Sequence, residues 1–481
     1  MARERIAPDL RENKMGTMPV GKLLFTMALP LVISMLVQAF YNIVDTYFVS
    51  LVSTDATGAL SFAFPIQNLQ IGCATGVAVG VNSLLSKSLG EGNREKANKA
   101  AGNGILLMLM FVAVFMLFGF FGTKGYYSLF NANETTRQYG ISYTSICSIF
   151  TLGIFAEILG ERLLQSSGRT VYTLFTQGIG AVLNIILDPL FILGSVGLQE
   201  KVGIQLPFFF PAFGVAGAAI ATVIGQWVAA TLAVIFNLTR NPDVKFGLKY
   251  LRPNGEVMGK ILAVGVPSMI MMAIGSVMTF GMNQILLSFS DTHGQTPANV
   301  FGIYFKLQSL FLMPLFGINN ASISIVAFNY GARKPERITK NMKCAFGAAL
   351  VIMLIGCTVF QLIPDKLMGI FGGSGDENAK ALVEMGKTAM RIISIHFPIA
   401  AVGIALSASF QGLGNGIYST IVSLCRQLVA LLPAAFLLSL SGNVDLIWWS
   451  FPIAEVVSSV LSVIFYARIY KQKVKPMFAA K

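Results

Sequence analysis

Long apolar runs alternate with short polar breaks along almost the whole chain. Twelve such runs stand out, at roughly 21–50, 57–86, 99–121, 138–165, 171–195, 213–237, 258–289, 298–329, 342–363, 381–411, 418–440 and 445–467. A bilayer core about 30 Å thick takes about 20 mostly apolar residues per helix, so each run is read as a membrane-spanning helix. Several are longer, which predicts tilt, kinks or ends that reach beyond the bilayer. The ten-residue alternating segments of a closed β-barrel are not seen. The predicted fold is all-α: a polytopic membrane protein of twelve transmembrane helices in two pseudo-symmetric six-helix lobes. The expected boundaries are a terminus at 1–20, an N-lobe at 21–237, a linker at 238–257, a C-lobe at 258–467 and a tail at 468–481.

The two halves repeat one another in order. Ala28-Leu29-Pro30 opens the first run, and Gly265-Val266-Pro267 lies at the matching point of the seventh. Leu89-Gly90-Glu91-Gly92-Asn93-Arg94 follows the second run; Tyr330-Gly331-Ala332-Arg333-Lys334-Pro335 follows the eighth. Gln165-Ser166-Ser167-Gly168 follows the fourth, and Gln411-Gly412-Leu413-Gly414 the tenth. With six spans per half, matching segments share an orientation, so the repeat is parallel, about an axis along the membrane normal. Two such lobes around a central cavity are typical of secondary transporters.

Composition agrees with this pattern. Of 481 residues, 54% are hydrophobic and 12% charged, where a soluble domain carries about 25% charged residues. An ordinary soluble enzyme, a disordered chain and a disulfide-rich module are excluded. The net charge of +13 would suit nucleic acid only if it formed one basic face, and it does not. Of the 35 Lys and Arg, 26 fall in the termini, the even-numbered loops and the run ends beside them, among them Arg3, Arg5, Arg11, Lys14, Arg240 and Lys245. Odd-numbered loops hold six: Lys124, Arg137, Lys201, Lys366, Lys380 and Lys387. The positive-inside rule then places both termini and the linker in the cytoplasm of a cell-membrane protein, with the basic loops against anionic lipid. No cleavable signal peptide is expected, because the first apolar run far exceeds a signal h-region. The five scattered cysteines read as small buried hydrophobes.

Ionisable residues within the runs carry the functional argument, since a charge in hydrocarbon is costly. The first half holds Asp45, Glu157 and Asp188; the second holds Lys306, Arg391, His396, Arg426 and Glu455. Gln38, Asn42 and Asp45 are spaced i, i+4, i+7 and share one helix face, with Tyr41 one turn before Asp45. Asn184 and Asp188 repeat the spacing, and Pro189 predicts a kink. Counted from the helix ends, Asp45, Asn184, Asp188 and Thr222 share a depth. Two carboxylates, an amide and a hydroxyl suit either a proton, kept on one of two facing acids, or a hard cation such as Na⁺. For Glu157, pairing with Arg162 or lining the inner vestibule is weighed at least equally with a part in coupling. Lys306 either neutralises an acid or snorkels outward. His396 and Arg426 are expected to be structural, and Glu455 has no evident partner. Gln284, in Gly281-Met282-Asn283-Gln284, joins Gln38, Tyr41, Asn42, Glu157 and Lys306 as a cavity candidate. Phe and Met in such a cavity would suit flat lipophilic cations. Gly412-Leu413-Gly414-Asn415-Gly416 lacks a preceding strand and a Walker lysine, so it is no nucleotide site. No catalytic or metal spacing is found, so no enzyme activity and no cofactor is expected. An ion gradient is the expected energy source.

Taken together, Ala28-Leu29-Pro30, Asn42-Ile43-Val44-Asp45-Thr46, Gly90-Glu91-Gly92-Asn93, Gln165-Ser166-Ser167-Gly168, Asn184-Ile185-Ile186-Leu187-Asp188-Pro189 and Gly214-Val215-Ala216-Gly217-Ala218-Ala219-Ile220-Ala221-Thr222 resemble the MATE (multidrug and toxic compound extrusion) family of the MOP superfamily. The resemblance runs over nearly the whole length and is nearest to the bacterial MepA/DinF-like branch. It implies a V-shaped pair of six-helix bundles that alternates between outward- and inward-facing states. It implies export of cationic lipophilic drugs in exchange for Na⁺ or H⁺, by a monomer. It assigns the coupling cation to the positions of Asp45, Asn184, Asp188 and Thr222. Another branch uses an acid in the seventh helix, and this chain has none at 281–284. The competing expectation is a flippase for a lipid-linked saccharide in the same superfamily, kept open by Lys306, Arg391 and Arg426.

Overall fold

The computed structural model describes residues 13–130, 133–205, 207–289, 294–369 and 377–479. Arg3, Arg5 and Arg11, and the side chain of Asn42, lie outside what is described. Among the described residues there are helices and connecting turns and no strand. Ten helices are long and apolar enough to cross a membrane, and two bent pairs bring the number to twelve. The chain is thus an all-α, multi-pass membrane protein.

In the first half the helices are α1 (Val20–Ser50), α2 (Thr54–Gly90), α3 (Arg94–Leu117), α4 (Glu134–Ile149), α5 (Leu152–Ser166), α6 (Val171–Val202) and α7 (Gly214–Arg240). The second half follows with α8 (Gly255–Leu287), α9 (Thr296–Gly331), α10 (Pro335–Leu362), α11 (Glu377–Ser394), α12 (His396–Gly412), α13 (Gly416–Leu424), α14 (Leu432–Ser439) and α15 (Ser450–Ile469). Side chains start several of them. Ser53 accepts from the Ala56 amide, Asn93 from Lys96 and Asn133 from Thr136, each satisfying a donor that a helix start leaves open. Two runs that read as single spans are broken. The fourth is α4 and α5, and the tenth is α11 and α12, each pair bent by 47°. The breaks fall at matching places in the repeat.

The chain divides into two compact units that do not follow the sequence halves. One unit comprises Met1–Asn13 and Ile33–Met269, the other Lys14–Val32 and Ile270–Lys481. The boundary therefore falls inside α1 and inside α8, each just past its proline, Pro30 and Pro267. Lobes bounded at 237 and 258 miss this, because a hydropathy run shows a helix but not which bundle packs its two ends.

Glycines supply the reason. A Cβ on Gly76 of α2 would lie 2.7 Å from the Gly265 carbonyl of α8, within the first unit. A Cβ on Gly317 of α9 would lie 2.8 Å from the Val32 amide of α1, within the second. Backbones meet at these points because no side chain intervenes. In the first unit Val49, Ala56, Ala63, Tyr143, Ile192 and Val215 are buried together. In the second, Val326, Ile338, Phe410, Leu413, Ile469 and Val474 form a core.

Candidate functional site

The first unit places α6 and α7 against each other at backbone distance. A Cβ on Gly225 would lie 2.9 Å from the Gly180 carbonyl oxygen, and one on Gly180 would lie 3.1 Å from that of Gly225. The close approach at these two glycines carries Asn184, one turn beyond Gly180, onto Thr222, one turn before Gly225. Asn184 Nδ2 donates to Asp188 Oδ1 at 3.1 Å and lies 3.4 Å from Thr222 Oγ1, to which it also donates. Asp188 is fully buried and Asn184 is 3% exposed.

The kink expected at Pro189 falls instead at Gly194, five residues further along α6. α6 holds Pro189 within it and leaves helical geometry at Gly194, where φ is 66°. On either side of the break, the Phe191 carbonyl accepts from the Phe213 amide at 2.8 Å, and the Ser195 amide donates to the Phe210 carbonyl at 2.9 Å. The broken end of α6 is thus stitched to the segment that starts α7, which fixes Asp188 and Thr222 in register.

Asp45 lies on α1, half-buried, and close enough to Asp188 for the two charges to act on each other. Three oxygens in this group are buried and accept no hydrogen bond among the described residues: Asp45 Oδ1, Asn184 Oδ1 and Asp188 Oδ2. Buried acceptors are normally paired. Two carboxylates, an amide carbonyl and a hydroxyl form a hard-oxygen set that fits a proton or a monovalent cation.

A cavity of about 60 Å³ adjoins the group, lined among others by Gln38, Tyr41, Glu157, Gln177, Asn184 and Thr222. Of the cavity candidates named from sequence, Gln38, Tyr41 and Glu157 line it, and Gln284 and Lys306 do not. Those two are exposed side chains of the second unit.

Glu157 and Arg162 are not an ion pair among the described residues. Arg162 Nη1 donates to Gln165 Oε1 at 2.9 Å, and the carboxylate that acts on Arg162 is Glu161. Glu161 was missed in the sequence. It is 4% exposed and accepts from Thr176 Oγ1 at 2.7 Å and from Gln177 Nε2 at 2.9 Å. The signal was available: Glu157 and Glu161 are four residues apart and share a helix face.

In the second unit, Glu455 has a partner after all: Arg426 Nη1 lies 3.7 Å away. Arg426 sits in a π-helical stretch, Cys425–Leu431, between α13 and α14, and Glu455 also accepts from Ser458 Oγ at 3.3 Å. His396 is buried, with Nδ1 2.6 Å from the Ile393 carbonyl and its ring stacked on Phe451. Its Nε2 lies 3.5 Å from Gln308 Nε2 of α9, at the bend between α11 and α12.

The MatE family model matches the chain over residues 30–190 and 267–437, the two halves of the repeat. A protein of Shewanella oneidensis named "FAD transporter" is 23% identical over 92% of this chain and 93% of its own length. The "Multidrug export protein MepA" of Staphylococcus aureus is 23% identical over 91% of each chain. Among solved structures, a MOP superfamily transporter from Pyrococcus furiosus superposes with a TM-score of 0.86 at 22% identity, covering 98% of this chain and 99% of that one.

Proposed function

Because the chain belongs to the MatE family, the MATE transporters of the MOP superfamily, we propose that it exports cationic, lipophilic drugs and other toxic compounds across the cell membrane by alternating access. A proton or Na⁺ moving inward at Asp45, Asn184, Asp188 and Thr222 drives the export. The observation that carries this reading is the buried oxygen cluster of the first unit, with three acceptors that lack partners among the described residues. Its geometry supports a site that is filled and emptied during a transport cycle. The excess of Lys and Arg in the termini and even-numbered loops supports cytoplasmic ends. Family resemblance supports a monomer with no cofactor.

The ion must bind one state of the transporter better than the other, or its gradient does no work. Asp45 and Asp188 provide that difference. Two facing carboxylates repel one another until one is protonated or both are bridged by a cation, and Asp45 rides on α1, the helix shared between the two units.

The test is ethidium efflux from drug-sensitive cells that express wild type or Asp45→Asn, with Na⁺ varied and the proton gradient collapsed in turn. Loss of efflux in the variant, with normal amounts of protein in the membrane, is the expected result. Efflux at the wild-type rate from Asp45→Asn sinks the assignment.

A second reading has its own support. The Shewanella relative is named for FAD, an anionic nucleotide, and Arg426 of the second unit retains 35% side-chain exposure beside Glu455. An anionic substrate would use that guanidinium. Vesicles loaded with ethidium in one arm and a flavin nucleotide in the other separate the two readings.

A further inference from the structure

Resting on that reading, the structure leads to a second site in the same unit. α5 carries three charged side chains within six residues: Glu161 and Arg162, both buried, and Glu157, half-buried on the cavity wall. Arg162 and Glu161 answer each other. The guanidinium is 6% exposed and lies beside the Glu161 carboxylate, whose two oxygens are taken by Thr176 and Gln177. That pair is neutral and its carboxylate is saturated. Glu157 is left over. It lines the cavity, and its nearest charge is the like charge of Glu161.

An uncompensated carboxylate inside a membrane bundle is expensive, and the local cost vanishes when it takes up one positive charge. The cavity decides which. At about 60 Å³ it has room for a few waters, since one water needs about 10–15 Å³ by the same measure, and none for a drug. A metal ion would need several oxygens, yet both oxygens of Glu161 are already engaged and the Arg162 charge lies close by. A proton needs one oxygen. Asn184, on the same cavity, contributes a buried carbonyl oxygen without a partner among the described residues, an acceptor for a water held there.

We propose that Glu157 is a second proton site of the first unit, separate from the Asp45–Asp188 pair and reached through water in the cavity that it lines with Asn184 and Thr222. The step is a plain transfer: a proton from bulk water is relayed through the cavity, the last water passing one H⁺ to a Glu157 carboxylate oxygen as it accepts another from the neighbouring water, and the reverse relay empties the site. The titratable groups that face Glu157 among the described residues are Glu161 and Arg162 on its own helix and Tyr41 from α1. α2, α6 and α7 present uncharged side chains there, such as Ile71, Gln177 and Gln226.

The direct test is the infrared C=O band of a protonated carboxyl, recorded by titrating the purified full-length protein in lipid. Wild type and Asp45→Asn should both show a band that Glu157→Gln lacks and Glu157→Asp restores at a shifted frequency. In proteoliposomes, Glu157→Gln should lose about tenfold or more of its pH-driven dye exchange while binding the dye as wild type does. No change in the band or in the pH profile on Glu157→Gln overturns the proposal. A band abolished by Na⁺ at constant pH also overturns it, in favour of a metal site. Because the band does not depend on Asp45, failure here and failure of the Asp45 assignment are read separately.

Discussion

Asn184 connects two groups that would otherwise repel or ignore each other. One amide donates to both the Asp188 carboxylate and the Thr222 hydroxyl, so its loss frees two acceptors at once. Hydrogen bonds to charged groups contribute about 1.5–3 kcal/mol each. Asn184→Ala is expected to weaken the apparent affinity for the coupling ion about tenfold or more, read as a shift in the ion dependence of dye efflux. Thr222→Val, which removes the weaker contact, should shift it less. Asp45, Asn184 and Asp188 were legible in the sequence because a polar stripe on an apolar helix has few other uses. Glu161 and the partner of Glu455 were not. Glu161 reads as the polar end of a span until Thr176 and Gln177 from a neighbouring helix are seen to hold it. Arg426 reaches Glu455 from another helix, and sequence spacing carries no information about that. Arg426→Gln is expected to leave Glu455 buried without its countercharge and to lower the thermal stability of the purified protein, whereas Lys306→Gln, at an exposed position, should leave it unchanged.

At the level of elements, the site depends on how closely α6 and α7 approach. Gly180 and Gly225 set that distance, and neither contributes a functional group. A side chain at Gly225 must push the helices apart and separate Asn184 from Thr222. Gly225→Leu is expected to cost about 1–3 kcal/mol or more through overpacking, seen as a lower unfolding temperature in detergent, and to lose ion-coupled efflux even in protein that still folds. The helices were readable because each apolar run exceeds the bilayer thickness. The breaks within the fourth and tenth were not, since neither 47° bend interrupts the hydropathy. Nothing in the first break resembles a stop signal: the chain passes Phe150 and Thr151 in one turn and resumes with Leu152. At the second, Pro398 lies in the first turn of α12, where proline is tolerated, so the residue marks the break only after it is known.

Across the whole molecule, the repeat predicted from three pairs of short motifs corresponds to a real equivalence. Gly76 and Gly317 lie 241 residues apart, the offset between Gly90 and Gly331 in the motifs. Each receives the backbone of a helix within two residues of its proline, at Gly265 before Pro267 and at Val32 after Pro30. The motifs could not show that the helix ends are exchanged. Lys14–Val32 belongs with the second half and Gly255–Met269 with the first, and polar contacts secure the former. Arg337 donates to the Met15 and Met18 carbonyls at 3.0 and 2.7 Å, and Asn329 donates to Met15 at 3.1 Å.

The exchange has a consequence for biosynthesis. α1 contains a segment whose packing partners, α9 and α10, leave the ribosome some 300 residues later. Until then the nascent N-terminal half holds a stretch it cannot bury, and it lacks the opening of α8 that its own bundle requires. A gene cut between residues 241 and 255 should therefore yield two fragments that are each degraded when made alone. Made together in one cell, they should accumulate and restore dye efflux. Stable accumulation of either fragment by itself would show that the exchanged segments are dispensable for folding.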